Sequence, residues 1–526
     1  ERNSHPHTSM NNNIILVHNG IISNFQELKN FLREKNYTFY SETDTEVIAN
    51  LIEYYLKDND IETSIKLATD NMIGTWALGI INTFDPDNIY ITRHGSPLVL
   101  GYNDELIMCS SETSGFAGLI YNYINLDNND IITINSSGYK TSHNYDIKKL
   151  KSVIIESTPS PYEHWTLKEI NDQPNTVLSA INNGARIIDD NIILEGLTNI
   201  NNDYNISEIE HIIILGCGTS YHAAMIGKYY FNNSNYSFNT IQAVDASEFS
   251  EKDLPKKGKI LAILCSQSGE TRDLIKCIEI CNNNNNNNNN CLLLGVVNVV
   301  DSNISQKVDQ GVYLNSGREI AVPSTKSFTA SLIVLSLIGM WFKKKNKNIN
   351  IIKTLRKLPF TIENLLIDDI FKQQCNHVVD YIINKKIQSI FILGKDKLYP
   401  ISKEGALKLK EITYIHAEGY PAGSLKHGPF ALLDQKTITI LLVDEKNREY
   451  LMSTYQEIIS RDTECFIITD CELDIKTSNL IKLPNVDNYK EIIFNIALQI
   501  ISYYLSIKRD INPDKPRNLA KVVTVE

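Results

Sequence analysis

Residues 211–231 read HIIILGCGTSYHAAMIGKYYF, and this stretch decides the fold class of the chain. The largely apolar run at 211–215 predicts a buried strand, and residues 221–231 predict a helix. Between them lies a tight loop of small residues, GCGTS. The order of strand, small-residue loop and helix is typical of an α/β fold that binds an anion at a helix amino terminus.

The same order recurs at KILAILC (259–265), SQSGET (266–271) and the predicted helix 272–281. Neither loop has the GxxxxGKS pattern of a nucleoside-triphosphate loop, and GCGTSY lacks the third glycine of a dinucleotide fingerprint. Hydroxyl-rich loops without lysine suit a monophosphate. We therefore expect a phosphosugar ligand, with ordinary turn chemistry as the alternative.

A second α/β layout begins with the predicted strand 389–393 and ends with the predicted helix 491–507. It lacks a Ser/Thr-rich loop, so the layout is repeated but the phosphate loop is not. We predict two doubly wound parallel-sheet domains that assemble one site between them.

The stretch 404–429, EGALKLKEITYIHAEGYPAGSLKHGP, is the predicted centre of catalysis. Its first half predicts a helix that Gly419 and Pro421 end, and 417–429 predict a loop. Glu404, Lys408 and Glu411 follow an i, i+4, i+7 spacing and share one helix face. A carboxylate on a helix followed by the loop residue His427 suits proton transfer. The alternative is a solvated Glu–Lys face and a surface histidine.

Residues 1–140 predict an α+β domain, because many short strands accompany few helices. The run at 14–18 predicts a strand, and Asn19-Gly20 predicts a turn after it. Thr43 or Asp44 caps a predicted helix that runs to residue 56.

Composition narrows the partners of this 526-residue chain, whose length suggests two to four domains. A net charge of −11 argues against nucleic acid and anionic membrane. Nine scattered cysteines without a CxxC pair indicate a reducing compartment, and therefore a cytoplasmic protein. The run 327–342 is too short for a membrane span and predicts a buried core helix.

Two segments predict no function of their own. Residues 191–205 are polar and predict a surface loop. The asparagine tract at 282–290 predicts a disordered surface insertion.

Several motifs, in order along the chain, resemble the glutamine:fructose-6-phosphate amidotransferase (isomerising) family. SHPH, VHNGIISNFQELKNFL and FYSETDTEVIANLI resemble its glutaminase domain. CGTS, SQSGET and VPSTKSFT resemble its sugar-isomerase (SIS) domains, and NLAK followed by VTVE resembles its carboxyl terminus. The resemblance implies an Ntn-type glutaminase domain followed by two SIS domains.

The resemblance implies that Asn19 and Gly20 form an oxyanion hole and that Asp44 binds the amino group of glutamine. An amide NH2 and a backbone N–H can stabilise such an oxyanion. The alternative is an ordinary hairpin turn and a helix cap. The family's nucleophile is an amino-terminal cysteine, whereas this chain begins at Glu1 without an initial methionine. We expect a fragment that does not itself hydrolyse glutamine.

In the SIS domains the resemblance implies two sets of sugar-phosphate contacts. Val322 and Ser324 would contact the sugar, with Pro323 where the family usually has alanine, although a helix cap is the alternative role for Ser324-Thr325. The phosphate contacts would be Thr219, Ser220, Ser266, Gln267, Ser268 and Thr271.

The catalytic residues implied by the resemblance are Glu411, His427, Lys521 and Lys408. His427, supplied by a neighbouring subunit, would open the sugar ring, and Lys521 would hold C2 as an imine until ammonia displaces it. Glu411 would move a proton between C1 and C2, with Lys408 positioning Glu411 or the sugar. The imine acidifies the C1 proton, so we expect neither a metal nor another cofactor.

The expected function is transfer of the glutamine amide nitrogen to fructose 6-phosphate with isomerisation to glucosamine 6-phosphate, in a homodimer or a higher homo-oligomer. The alternatives are a hexose-phosphate isomerase or a sugar-phosphate sensor with an inactive glutaminase remnant. The expected domains are glutaminase at 1–140, linker at 141–205, SIS domains at 206–350 and 351–512, and a catalytic tail at 513–526.

Overall fold

The chain folds as two units, of which the first ends at Ser157 and the second begins at Thr158. The computed structural model describes residues 2–111, 113–116, 119–149, 158–197, 208–232, 238–288, 291–342 and 348–521. Each unit has its own apolar core.

The first unit is an α+β domain, as its sequence predicts. Its helices are α1 (Phe25–Glu34), α2 (Asp44–Leu56) and α3 (Ile61–Asp70). Its strands are β1 (His7–Thr8), β2 (Ile14–Ile22), β3 (Gly74–Asn82), β4 (Asp85–His94), β5 (Val99–Tyr102), β6 (Ile107–Ser110), β7 (Asn122–Asn125), β8 (Ile131–Asn135), β9 (Gly138–Lys140) and β10 (Lys148–Lys149). They form antiparallel sheets ordered β1-β2-β3-β4-β8-β9 and β10-β7-β5-β6.

The predicted turn at Asn19-Gly20 is wrong, because both residues continue strand β2. Asn19 pairs with Ala77 and Gly20 with Trp76. Gly20 has a φ of +148°, and a Cβ there would lie 2.1 Å from the Thr75 carbonyl oxygen. Glycine is therefore required for close antiparallel pairing rather than for a turn.

The second unit alternates strands and helices. Its helices are α4 (Trp165–Asn171), α5 (Gln173–Ala180), α6 (Thr219–Asn232), α7 (Arg272–Asn288), α8 (Asn303–Lys307), α9 (Lys326–Trp341), α10 (Ile349–Ile367), α11 (Asp369–Lys385), α12 (Leu398–Thr413), α13 (Arg448–Ile459) and α14 (Lys490–Lys508). Its strands are β11 (Ile187–Ile188), β12 (Asn191–Ile192), β13 (Ile209–Gly216), β14 (Thr240–Asp245), β15 (Lys259–Ser266), β16 (Cys291–Val297), β17 (Gln310–Tyr313), β18 (Ser389–Gly394), β19 (His416–Pro421), β20 (Thr437–Val443), β21 (Glu464–Thr469) and β22 (Leu480–Lys482).

Two parallel sheets in this unit have the same topology, which confirms the predicted repeat. Their orders are β14-β13-β15-β16-β17 and β19-β18-β20-β21-β22, so each reads 2-1-3-4-5 within its own half. Each first strand also ends in a glycine whose Cβ would meet the first turn of the next helix. That Cβ would be 2.6 Å from the Ser220 carbonyl carbon at Gly216 and 2.1 Å from the Leu398 oxygen at Gly394.

One apolar core joins both halves of the second unit. Helix α9 is buried along almost its whole length, as predicted for 327–342. Helices α4 and α5 fall within the expected linker 141–205, yet their apolar residues pack into this core. Because α5 contacts both α9 and α10, this part of the expected linker belongs structurally to the second unit.

Three sequence expectations for loops differ from the structure. The predicted loop 417–429 begins as strand β19, which pairs in parallel with β18, and the helix before it ends at Tyr414 in the left-handed region. Helix α7 continues through Asn288, since each residue added to an existing helix gains a backbone hydrogen bond without a new nucleus. In the predicted loop 191–205, Asn191–Ile192 form strand β12. Residues 198–205 and 289–290 lie outside the described residues.

Among the described residues, no helix combines the length and apolar character needed to cross a bilayer.

Candidate active site

The two hydroxyl-rich loops lie at the carboxyl ends of neighbouring strands β13 and β15. The strand order reverses between these two strands. Thr219 and Ser220 form the start of α6, and Thr271 directly precedes α7. Open α/β sheets bind ligands at such a switch point, and helix amino termini favour anions there. The structure thus brings both predicted phosphate loops to one edge of the sheet.

Loop 266–271 is held in shape by its own hydroxyl groups. Ser266 Oγ accepts the Gly269 N–H at 2.9 Å and lies 2.9 Å from Thr271 Oγ1. Ser268 Oγ accepts the Glu270 N–H at 3.1 Å. The neighbouring residue Gln267 is half-buried, and its carbonyl oxygen accepts the Asn298 N–H at 3.3 Å.

One face of α12, from the second half, contacts α6 from the first half. Glu404 Oε1 accepts a hydrogen bond from Thr219 Oγ1 at 3.1 Å, and Glu404 Oε2 lies 2.7 Å from His222 Nδ1. Lys408 Nζ donates to Thr219 Oγ1 at 3.1 Å and to Glu411 Oε2 at 2.7 Å. The spacing read from the sequence therefore places three charged side chains against the first phosphate loop.

This face is not a solvated Glu–Lys surface, because Glu404 and Lys408 are both buried. Burial alone would raise the pKa of Glu404, but Lys408 and hydrogen bonds from α6 lower it. Burial alone would lower the pKa of Lys408, but Glu404, Glu411 and Glu319 raise it above its ordinary value. Both groups are therefore ionised at neutral pH, and an ammonium faces Glu411, whose side chain is 20% exposed.

The segment before α9 is organised by Glu319 rather than by the predicted cap. Thr325 stands at the N-cap position, but its side chain makes no capping hydrogen bond. Instead Glu319 Oε1 accepts the N–H groups of Thr325 at 2.9 Å and of Ser327 at 3.0 Å. A carboxylate at this position complements the helix dipole. Val322 and Ser324 are half-buried in the same segment.

The carboxyl-terminal tail returns to this segment. The Val322 N–H donates to the Asp514 carbonyl oxygen at 3.0 Å. Asp514 also accepts the N–H groups of Trp165 at 2.9 Å and Thr166 at 2.8 Å, at the start of α4. Seven residues later Lys521 Nζ lies 2.6 Å from Glu319 Oε2. The tail is thus bound at two points as far as residue 521, and residues 522–526 lie outside the described residues.

His427 is the one predicted isomerase residue that the structure does not bring to the others. It ends a short 3-10 helix, Ala422–His427, and is exposed. Among the described residues, the structure shows no hydrogen bond or ion pair between His427 and Glu411, Lys408 or Lys521.

In the first unit, Asp44 lies against the strand that carries Asn19 and Gly20. Its Oδ2 accepts the Ile22 N–H at 2.9 Å, and its Oδ1 lies 3.9 Å from His18 Nδ1. Burial lowers the pKa of His18, although Asp44 opposes this shift. Asn19 is exposed and follows His18 directly. Asp44 is therefore bound to the face of β2 that carries His18 and Ile22, and among the described residues no hydrogen bond or ion pair joins it to Asn19 or Gly20.

The sequence predicts no role for His222, Glu319 or Glu169, and none for Glu404 beyond its place on the helix face. His222 closely follows the CGTS loop, and Glu319 precedes an apolar helix. Both residues can therefore be singled out from the sequence. Glu169 cannot, because only tertiary packing brings it to Glu319.

Comparison with known families matches both units. The glutamine amidotransferase domain family matches residues 1–118. The SIS domain family matches residues 205–340 and 381–509. The chain is thus a glutamine amidotransferase domain joined to two SIS domains.

Relatives that match along the full chain identify the family. A probable glutamine–fructose-6-phosphate aminotransferase (isomerising) of Acanthamoeba polyphaga mimivirus is 38% identical over 100% of this chain and 85% of its own length. An enzyme of the same name from Caldanaerobacter subterraneus is 34% identical, covering 100% of this chain and 87% of its own length. The chain belongs to the glutamine–fructose-6-phosphate aminotransferase (isomerising) family.

Solved structures agree for the second unit. The carboxyl-terminal domain of glucosamine–fructose-6-phosphate aminotransferase from Francisella tularensis superposes with a TM-score of 0.60 at 27% identity, covering 68% of this chain and 100% of that one. Tagatose-6-phosphate ketose/aldose isomerase from Escherichia coli shares the fold, with a TM-score of 0.53 at 19% identity over 70% of this chain and 99% of that one.

Proposed function

We propose that the protein transfers the amide nitrogen of glutamine to fructose 6-phosphate and isomerises the product to glucosamine 6-phosphate. The names of full-length relatives support this reaction. The observation that carries it is the bonding of Thr219, in the first phosphate loop, to both Glu404 and Lys408 of the second half. A phosphate held by that loop would place its sugar beside a proton-transfer group.

The sugar phosphate occupies the edge formed by β13, β15 and the segment before α9. Its phosphate binds the hydroxyl groups and helix N–H groups of the two loops, as such anions do elsewhere. The sugar extends toward Val322 and Ser324. The phosphate ligands are Thr219, Ser220, Ser266, Gln267, Ser268 and Thr271.

Four side chains carry out the isomerisation. Lys521 forms an imine at C2 until ammonia displaces it, and Glu411 then transfers a proton between C1 and C2. Lys408 donates a hydrogen bond to Glu411 at 2.7 Å and orients that carboxylate. His427 opens the ring of the sugar bound by a neighbouring subunit. Its exposure within one chain supports a homodimer or larger homo-oligomer.

The first unit supplies nitrogen from glutamine. Asn19 and the Gly20 N–H stabilise the oxyanion, and Asp44 binds the substrate's ammonium group. The functional boundaries are glutaminase at 1–140, SIS domains at 206–350 and 351–512, and the tail at 513–526. Among the described residues the cysteines form no disulfide, which supports a cytoplasmic location.

The test incubates the purified protein with fructose 6-phosphate, with and without ammonium as nitrogen donor. We expect glucosamine 6-phosphate when a donor is used and slow formation of glucose 6-phosphate without one. Glucose 6-phosphate alone under every condition would instead favour a hexose-phosphate isomerase. Binding of fructose 6-phosphate without any turnover would favour a sugar-phosphate sensor.

A further inference from the structure

Glu319 is a buried carboxylate bound to the amine of the tail lysine. Its side chain has no exposed surface, whereas that of Lys521 is 19% exposed. Oε2 lies 2.6 Å from Lys521 Nζ and also accepts a hydrogen bond from Ser327 Oγ at 2.7 Å. Oε1 accepts two N–H groups at the start of α9. Both oxygens are therefore fixed, and one of them is aimed at the nitrogen of Lys521.

A second carboxyl group adjoins Glu319 but carries no charge at neutral pH. Glu169 Oε1 accepts the N–H groups of Ile320 and Ala321, and its Oε2 is buried without a hydrogen-bond partner among the described residues. Burial, followed by the proximity of Glu319, raises the pKa of Glu169 to about 8. The two carboxyl groups therefore share a single negative charge below that pH.

That single charge resides on Glu319. Burial alone would raise the pKa of Glu319, but Lys521 and the α9 N–H groups lower it to about 2. Among the described residues, two further cations act on this pair: Lys326, which lies 3.5 Å from Asp172, and Lys408, whose pKa Glu319 helps to raise. Lys326 pairs with Asp172 and Lys408 with Glu411, whereas Lys521 Nζ lies 2.6 Å from Glu319 Oε2, so Lys521 is the cation that Glu319 neutralises.

We propose that Glu319 is the counter-ion of the Lys521 nitrogen and keeps its imine protonated until ammonia displaces it. This inference rests on the proposed imine at Lys521. The Lys521 nitrogen attacks C2 and passes two protons to the carbonyl oxygen, which leaves as water, so that C=N–H⁺ remains beside the Glu319 carboxylate. Electron withdrawal by this cation activates C2 for ammonia, which forms the new C–N bond and expels the Lys521 amine. Glu411 then moves the C1 proton to C2 of the imine that ammonia has formed. Without a counter-ion the imine would lose its proton and its electron withdrawal.

A cap role alone does not require this geometry. The N–H groups of Thr325 and Ser327 use Oε1, whereas Lys521 is bound by Oε2. A glutamine at position 319 retains an oxygen for the helix and removes only the charge. Glu319→Gln can therefore separate the helix-cap role of this residue from its counter-ion role.

The test traps the imine with borohydride in the presence of fructose 6-phosphate between pH 6 and pH 9. Imine formation expels water, and reduction adds a hydride and a proton. The protein therefore gains the mass of the sugar phosphate less one oxygen atom, located at Lys521 by peptide mass spectrometry. The half-trapping pH is the pH at which the adduct yield falls to half of its maximum. For Glu319→Gln we expect about tenfold less adduct at pH 8, and a half-trapping pH at least about one unit lower than that of the unsubstituted protein.

Ser327→Ala is the matched control, because it removes a hydrogen bond to Glu319 but keeps the charge. Its adduct yield and half-trapping pH are expected to equal those of the unsubstituted protein. If Glu319→Gln unfolds, Glu319→Asp provides the second variant. It keeps the charge but moves it away from Lys521. We expect its half-trapping pH to lie between those expected for Glu319→Gln and the unsubstituted protein.

Three results would overturn the inference, and they differ in what else they remove. Equal trapping by Glu319→Gln and the unsubstituted protein at every pH would remove the counter-ion role and leave the Lys521 imine intact. A similar loss in Ser327→Ala, which keeps the charge and both N–H bonds to Oε1, would show that the charge of Glu319 is not what sustains trapping. No adduct at Lys521 in the unsubstituted protein would overturn the imine itself and, with it, this inference.

Discussion

Glu411 is the residue on which the proposed proton transfer depends. Replacing it by glutamine removes the base but keeps a group that accepts the Lys408 hydrogen bond. We expect conversion of fructose 6-phosphate to fall by about 10²–10⁴-fold, the usual contribution of general acid–base catalysis. Binding of fructose 6-phosphate, measured by calorimetry, should change less than about threefold.

Glu418→Gln is the matched control, since it makes the same chemical change at a side chain that is 41% exposed. Its turnover should equal that of the unsubstituted protein. Full activity in Glu411→Gln would exclude Glu411 as the base.

Glu169 makes the stability of the second unit depend on pH in a predictable direction. Its pKa is about 8 in the folded protein, against an ordinary value of 4.5. The folded state therefore holds a proton that the unfolded state has released. This stabilisation is complete below about pH 4.5, falls as the pH rises toward 8 and is absent above it.

We expect the thermal midpoint of the unsubstituted protein to drop more between pH 5 and pH 8 than that of Glu169→Gln, by roughly 3 °C or more. Calorimetry at several pH values provides the measurement. Parallel pH dependence in the two proteins would show that Glu169 ionises normally in the fold.

At the scale of elements, the tail depends on the amino terminus of α4. Asp514 accepts both Trp165 and Thr166 N–H groups there. Asp514→Asn removes the charge that complements this helix end, which we expect to cost about 1 kcal/mol. The looser tail should reduce kcat for isomerisation several-fold while leaving KM for the sugar phosphate nearly unchanged.

The control is Asp510→Asn, an exposed position with a φ of +54° that asparagine also tolerates. Comparison of kcat and KM in the two variants gives the readout. Equal kcat values in Asp514→Asn and Asp510→Asn would mean that the α4 contact does not position the tail.

The sequence predicts the regular elements of this fold well and their special positions poorly. Apolar runs such as 211–215 and 389–393 predict strands because a parallel strand buried on both faces must be apolar throughout. Asn19-Gly20 misleads, since a turn dipeptide also fits a strand in which another backbone approaches closely. Strand β19 is missed because Gly419 and Pro421 are common in loops, although edge strands accept both.

The charged groups of the site are only half predictable. The spacing of Glu404, Lys408 and Glu411 predicts that they share one helix face, but it does not predict whether that face is buried. Burial arises from packing of α12 against α6, across 182 positions of sequence between His222 and Glu404. Glu169 and Glu319 are 150 positions apart by their numbers, and only tertiary packing brings them together.

At the scale of the whole molecule, the proposed role of His427 requires sites shared between subunits. We expect Glu411→Gln and His427→Ala proteins to be inactive separately and to regain activity when mixed and re-equilibrated. In a homodimer, half of the mixed dimers are hybrids, and one of their two sites has both groups intact. Recovered turnover should therefore approach about a quarter of the normal value.

The assay measures glucose 6-phosphate formed from fructose 6-phosphate, with size-exclusion chromatography to verify subunit exchange. A mixture of the Glu411→Gln and Lys408→Met proteins is the control. Both positions lie on α12, so each site of a hybrid dimer keeps one of the two changes, and His427 from the neighbouring subunit cannot repair it. Absence of recovery from the first mixture, after exchange is verified, would place His427 in the same chain's site or outside the reaction.

The central claim is that both SIS halves and the tail build one sugar-phosphate site. The most direct test is a crystal structure of the protein with fructose 6-phosphate bound. We expect the phosphate to contact Thr219, Ser266 and Thr271, with C1 beside Glu411 and C2 within bonding reach of Lys521 Nζ. A phosphate bound instead at loop 394–397 of the second sheet, away from Lys521, would contradict it.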